Sequence, residues 1–143
     1  MRKMRMIIAI DFDGTCVTHK YPEIGDDIGA VPALKRFVTD GHLLILNTIR
    51  DGPELEDAVN WFKKNDISLY AVNKNHGQEN WTKSPKVYAN MYIDNLALGC
   101  PCLIAPGISE RAFVDWKTVE KIFYDGISSI PNYEIISKRN SKS

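Results

Sequence analysis

The chain has no excess of charge of either sign, no long apolar run and little cysteine, and each shortage closes off a class of function. Lys and Arg together number 18, as do Asp and Glu, so the formal net charge is zero. That leaves no global attraction toward nucleic acid or an anionic membrane. The longest apolar stretches, such as Ile7 to Ile10 and Leu43 to Leu46, fall far below the roughly 20 residues of a membrane-spanning helix. The basic start, Met1 to Arg5, runs into a strand-like stretch without a signal-peptide core, so a cytoplasmic location is expected. Cys16, Cys100 and Cys102 give neither a disulfide framework nor the CxxC spacing of zinc and redox sites.

What is present suits one globular domain. The 143 residues, 44% of them hydrophobic, can bury a substantial core. Residues 1–126 read as a single domain, and the Ser/Lys/Asn-rich stretch 127–143 as a flexible tail. Ile7 to Ile10 is apolar on both faces, the pattern of a buried parallel strand. Leu43 to Leu46, Ile67 to Val72 and Asn90 to Ile93 read as further strands, with Cys102 to Ile104 as a short fifth. Helices are expected over Val31 to Asp40, with Pro32 in the first turn and Gly41 as stop, and from Pro53. Asp115 can cap a last helix that closes at Gly126. Strands alternating with helices predict an α/β fold: a Rossmann-like parallel sheet with helices on both faces.

The first strand ends in Asp11-Phe12-Asp13-Gly14-Thr15. Ligand sites in open α/β sheets lie beyond the carboxyl ends of strands. Two carboxylates there repel each other, and a hard cation such as Mg²⁺ relieves the repulsion. The other strands also end in polar groups, Asn47-Thr48-Ile49-Arg50 and Asp94-Asn95. Cys16 lies near the acids, but as a nucleophile it would compete with a carboxylate already there.

The segment Asp11 to Thr15 resembles the first motif, DxDx[TV], of the haloacid-dehalogenase (HAD) superfamily. The stretches His19 to Gly25, Thr48-Ile49-Arg50 and Tyr92-Ile93-Asp94 extend the resemblance to small bacterial and phage hydrolases that lack a cap domain. It covers roughly residues 5 to 125. The resemblance implies an Mg²⁺-dependent phosphatase that works through an aspartyl-phosphate. Asp11 would be the nucleophile, Asp13 the general acid/base, and Thr48 and Lys86 the phosphate-binding groups, with Lys83 as the competing lysine. The metal would take the carboxylates of Asp11 and Asp94 and the main-chain carbonyl of Asp13. Asn95 stands where the family usually has a second acid and can offer only a neutral oxygen.

Expected substrate contacts are His19, Lys20 and Tyr21 in a flap over the site, together with Arg50, Asn95 and the Asn73 to Gln78 loop. The implied partner is a small phosphorylated substrate. An uncapped site also leaves room for a bulkier substrate or a second subunit of a homo-oligomer as lid. Phosphotransferase, nucleotidase, sugar-phosphate phosphatase and polynucleotide phosphatase chemistry share this core. A receiver-like signalling domain is disfavoured, because Asp66 precedes the third strand instead of following it. A catalytically weak binding module remains the alternative from outside enzymology.

Overall fold

The structure, a computed structural model, describes residues 4–126. The tail expected over 127–143 lies outside the described residues. The elements in order are β1 (Ile7–Ile10), α1 (Ala30–Thr39), β2 (Leu43–Leu46), α2 (Gly52–Lys64), β3 (Ala71–Val72), β4 (Met91–Ile93), β5 (Cys102–Leu103), β6 (Phe113–Val114) and α3 (Trp116–Asp125). A single 3₁₀ turn, Gln78–Asn80, lies between β3 and β4.

The first four strands form one sheet in the order β3-β2-β1-β4, and every pair is parallel. The chain steps from β1 to β2 to β3 in one direction and then returns to the far side of β1. The order therefore reverses between β1 and β4, and a crevice opens there at the carboxyl ends of the strands. Ile10 is in register with both Leu46 and Ile93. The residues just after them, Asp11, Asn47 and Asp94, thus leave the sheet at one level.

Each helix follows its sequence signals. In α1, Ala30, Ala33, Leu34 and Phe37 are buried at helical spacing. In α2, Ala58 and Phe62 lie one turn apart on the buried face. In α3, the Asp115 carboxylate accepts from the Thr118 N–H at 3.3 Å and from its hydroxyl at 2.6 Å, a side-chain N-cap.

The helices do not cover both faces of the sheet. Ile8, Ile10, Leu44 and Leu46 share one core with Leu34 and Phe37 of α1, Phe62 of α2 and Val119 of α3. Two crossovers of the same hand that step in the same direction put their helices on the same side. The opposite face is covered by the irregular connection from β3 to β4. There Val87 packs on Ile45 and Ala71, while the Tyr92 hydroxyl donates to Val87 O at 2.6 Å and accepts from Ala89 N at 3.1 Å.

Two strands also differ from expectation. β3 is short because the chain is still closing α2 at Ile67, whose N–H donates to Phe62 O at 2.9 Å, just after Asp66 at φ 56°. Strand-like bonding begins only with Tyr70 N to Leu44 O. Cys102–Leu103 does not join the main sheet. It pairs antiparallel with Phe113–Val114, and this hairpin docks on the β1 loop through Val114 N to Gly14 O at 3.0 Å.

Candidate active-site cleft

A cleft of about 900 Å³ opens where the strands end, lined by Asp11, Asp13, His19, Tyr21, Asn47, Thr48, Ile49, Asp94, Asn95, Leu96, Arg111 and Ala112. Asp11 leaves β1 with its N–H bonded to Ile93 O at 3.0 Å, which seats it beside Asp94 on the neighbouring strand. One of its carboxylate oxygens accepts from the Thr15 hydroxyl at 2.8 Å. Thr15 is fully buried, and its carbonyl accepts from the Trp116 indole N–H at 2.7 Å. Helix α3 thus braces the loop that presents the first acid.

Asn95 sits under this loop. Its backbone N–H donates to the Thr15 hydroxyl at 3.1 Å. The amide orientation that satisfies its neighbours points NH₂ at Asp11 Oδ2, 3.2 Å away, and at Asp13 O, 3.3 Å away. Asn95 is then a donor to the Asp11 carboxylate and the Asp13 carbonyl. A Cβ at residue 14 would lie 2.8 Å from Asn95 Cγ, and Gly14 has φ 80°. Close approach and left-handed backbone both require glycine there.

Burial, and then the nearby charges of Asp94 and Asp13, push the Asp11 carboxyl up to about 7, against the pull of the Thr15 hydroxyl. The site is thus short of positive charge around Asp11. Mg²⁺ commonly binds through one or two carboxylates, with carbonyls and water completing its shell. The donor set here, Asp11 and Asp94 carboxylates with the Asp13 carbonyl, suits that chemistry. Among the described residues no three His, Cys, Asp or Glu side chains gather into a metal site.

Asp13 faces a different partner. Its carboxylate accepts two bonds from Arg50, from Nε at 2.8 Å and from a terminal nitrogen at 2.7 Å. Arg50 is 1% exposed, and its other N–H groups donate to Pro22 O, Glu23 O and Glu54 O at 2.7–3.1 Å. Its bonds to Asp13 raise the guanidinium above its ordinary value. Arg50 therefore has no donor left for a substrate, which corrects the expected substrate contact.

Thr48 lines the cleft, and its hydroxyl oxygen accepts from Arg50 N at 3.1 Å, which leaves the hydroxyl proton to donate. The expected lysines do not line the cleft. Lys86 is exposed, with Nζ 5.4 Å from the centre of the Tyr92 ring, on the face covered by the β3–β4 connection. Lys83 lines a separate groove with Asn75 and Gln78, while Asn73, at the start of the expected substrate loop, accepts from Thr48 N at 2.8 Å at the edge of the cleft. Lys20 pairs with Asp26 at 3.0 Å. From the flap, His19 and Tyr21 reach the cleft.

Arg111 is the cleft residue that sequence reading missed. It lies in the loop joining β5 to β6, with no motif around it; only the docking of that hairpin brings it near Asp11. Cys16 is fully buried, and burial raises its thiol well above the ordinary range, which removes it as a rival nucleophile.

No family model and no curated protein matches the chain. A solved structure does, that of a conserved protein coded by a locus of Bacteroides thetaiotaomicron, with a TM-score of 0.74 and 31% identity. The match covers 92% of this chain and 100% of that one. With that identity over the relative's whole length, the chain belongs to the same family as this conserved Bacteroides protein.

Proposed function

We propose that the chain is a capless HAD-type phosphomonoester hydrolase, dependent on Mg²⁺, in which Asp11 is phosphorylated. The observation that carries this reading is the meeting of Asp11 from β1, Thr48 from β2 and Asp94 from β4 around one cleft at the reversal of strand order. A half-buried carboxylate raised to about 7 beside a second acid in a cleft supports a site that takes a cation. The capless reading is supported by short connections: the flap and α1 separate Asp13 from β2, and α2 alone separates β2 from β3. A cytoplasmic location belongs to the same reading. Among the described residues no helix is long and apolar enough to cross a membrane.

The chemistry then runs in two displacements. An Asp11 oxygen attacks phosphorus, and the ester P–O bond breaks as the leaving oxygen takes a proton from Asp13. Water next attacks the aspartyl-phosphate, giving its proton to Asp13, and the P–O bond to Asp11 breaks to release phosphate. The Thr48 hydroxyl donates to the phosphoryl oxygens. Asp11 and Asp94 would hold Mg²⁺, which supplies charge neutralisation to the phosphoryl group when bound. Asp13 must release one Arg50 bond and take up a proton on the freed oxygen before it can give that proton to the leaving group.

That requirement also favours a second reading, a phosphate-binding module with little turnover, since both Asp13 oxygens are engaged by Arg50. Release of phosphate from 4-nitrophenyl phosphate with Mg²⁺ separates the two. The hydrolase reading expects turnover by the wild type, lost by at least a thousandfold in Asp11→Asn. Equal rates in the two proteins would overturn Asp11 as nucleophile, and a folded wild type with no turnover would favour the module.

A further inference from the structure

The cleft is far larger than one phosphate needs, and it lies within the range of sites for drug-sized ligands. The groups around Asp11 use its strand-end floor. The rest of the wall comes from the flap and the β5–β6 loop, and it carries one strong cation. Arg111 is the sole Lys or Arg among the described residues lining the cleft. One of its terminal nitrogens lies 3.0 Å from His19 Nε2. A guanidinium can only donate, so His19 accepts at Nε2 and is the neutral tautomer with its proton on Nδ1. A neutral ring orients the guanidinium without cancelling its charge.

Most described lysines, like Arg111, have no carboxylate partner, but of these cations only Arg111 lines the cleft. Arg50, Arg36 and Lys20 each face a carboxylate, whereas among the described residues no carboxylate pairs with Arg111. Its loop is tied to the Asp11 loop by Val114 N to Gly14 O, which limits how far it can drift from the acids. An exposed, oriented guanidinium with no carboxylate within ion-pairing distance in a cleft is suited to bidentate capture of a planar or tetrahedral anion.

We infer that Arg111, oriented by His19, anchors a second anionic group of the substrate, so the substrate class is a phosphomonoester bearing a carboxylate or another phosphate away from the bond that is cleaved. This rests on the phosphatase reading of Asp11. Three esters that share one ring provide the test: phenyl phosphate, 4-carboxyphenyl phosphate and 1,4-phenylene bisphosphate. The wild type should favour at least one of the doubly anionic esters by tenfold or more in kcat/KM, and the favoured one names the anion. Arg111→Gln should reduce that preference at least tenfold, and His19→Ala should reduce it less. A wild type with no preference, or one that persists in Arg111→Gln, overturns the inference. If no ester turns over, calorimetric binding of the same three to the wild type and Arg111→Gln replaces the rates. A preference lost in the variant then supports the anchor while the phosphatase reading fails, and no preference overturns both.

Discussion

Asp11 has the least settled electrostatics of the described acids. Its carboxyl is raised from 3.8 to about 7, first by burial and then by its acidic neighbours. The folded state therefore binds more protons than the unfolded chain between these values. The associated stability is fully present below 3.8 and is lost as pH rises through about 7. A carboxamide cannot ionise, so Asp11→Asn removes this loss. In urea unfolding with a chelator present, the variant should gain roughly 1–3 kcal/mol on the wild type between pH 5 and pH 8, by the linkage of about 1.4 kcal/mol per pKa unit. The same difference at both pH values would mean that Asp11 is not held in an ion-poor pocket. Near the acids, Asn95 was readable as a departure from a second carboxylate, but its orientation was not. That depends on Gly14 leaving room for its amide.

The elements are joined at the site by Arg50, which ties the end of β1 through Asp13 to the flap through Pro22 and Glu23, and to α2 through Glu54. Losing one member of a buried ion pair leaves the other charge without its partner, at a cost of about 3–5 kcal/mol. Arg50→Leu should therefore lower stability by that order, seen in a denaturant midpoint, and should speed proteolytic cleavage within residues 19–25 of the flap. A variant as stable as the wild type would show that the pair contributes little. The sequence made the strand-end position of Arg50 plain but suggested a side chain turned toward a substrate. Two of the three carbonyls that enclose it, Pro22 O and Glu23 O, belong to a flap more than twenty residues away in the chain, and no local pattern encodes those contacts. Helix bounds were easier to read, since Pro32, Gly41, Asp115 and Gly126 act within a turn of where they stand.

Over the whole molecule, the parallel sheet is legible from alternating strand and helix segments, whereas the strand order that brings Asp11, Thr48 and Asp94 to one cleft is seen only in the fold. The face that each connection covers was not legible either. The β3–β4 connection occupies the face where helices were expected and carries Lys86 outside the cleft. β6, too short to announce itself, pairs with β5 and the hairpin brings in Arg111. The account turns on covalent chemistry at the first acid, and trapping it is the direct measurement. Wild-type protein mixed with 4-nitrophenyl phosphate and Mg²⁺, quenched in acid within a turnover and mapped by peptide mass, should carry one phosphoryl group on Asp11 and none when the metal is chelated. Released phosphate with Asp11 unmodified throughout, or a phosphoryl group on another residue, would contradict the account.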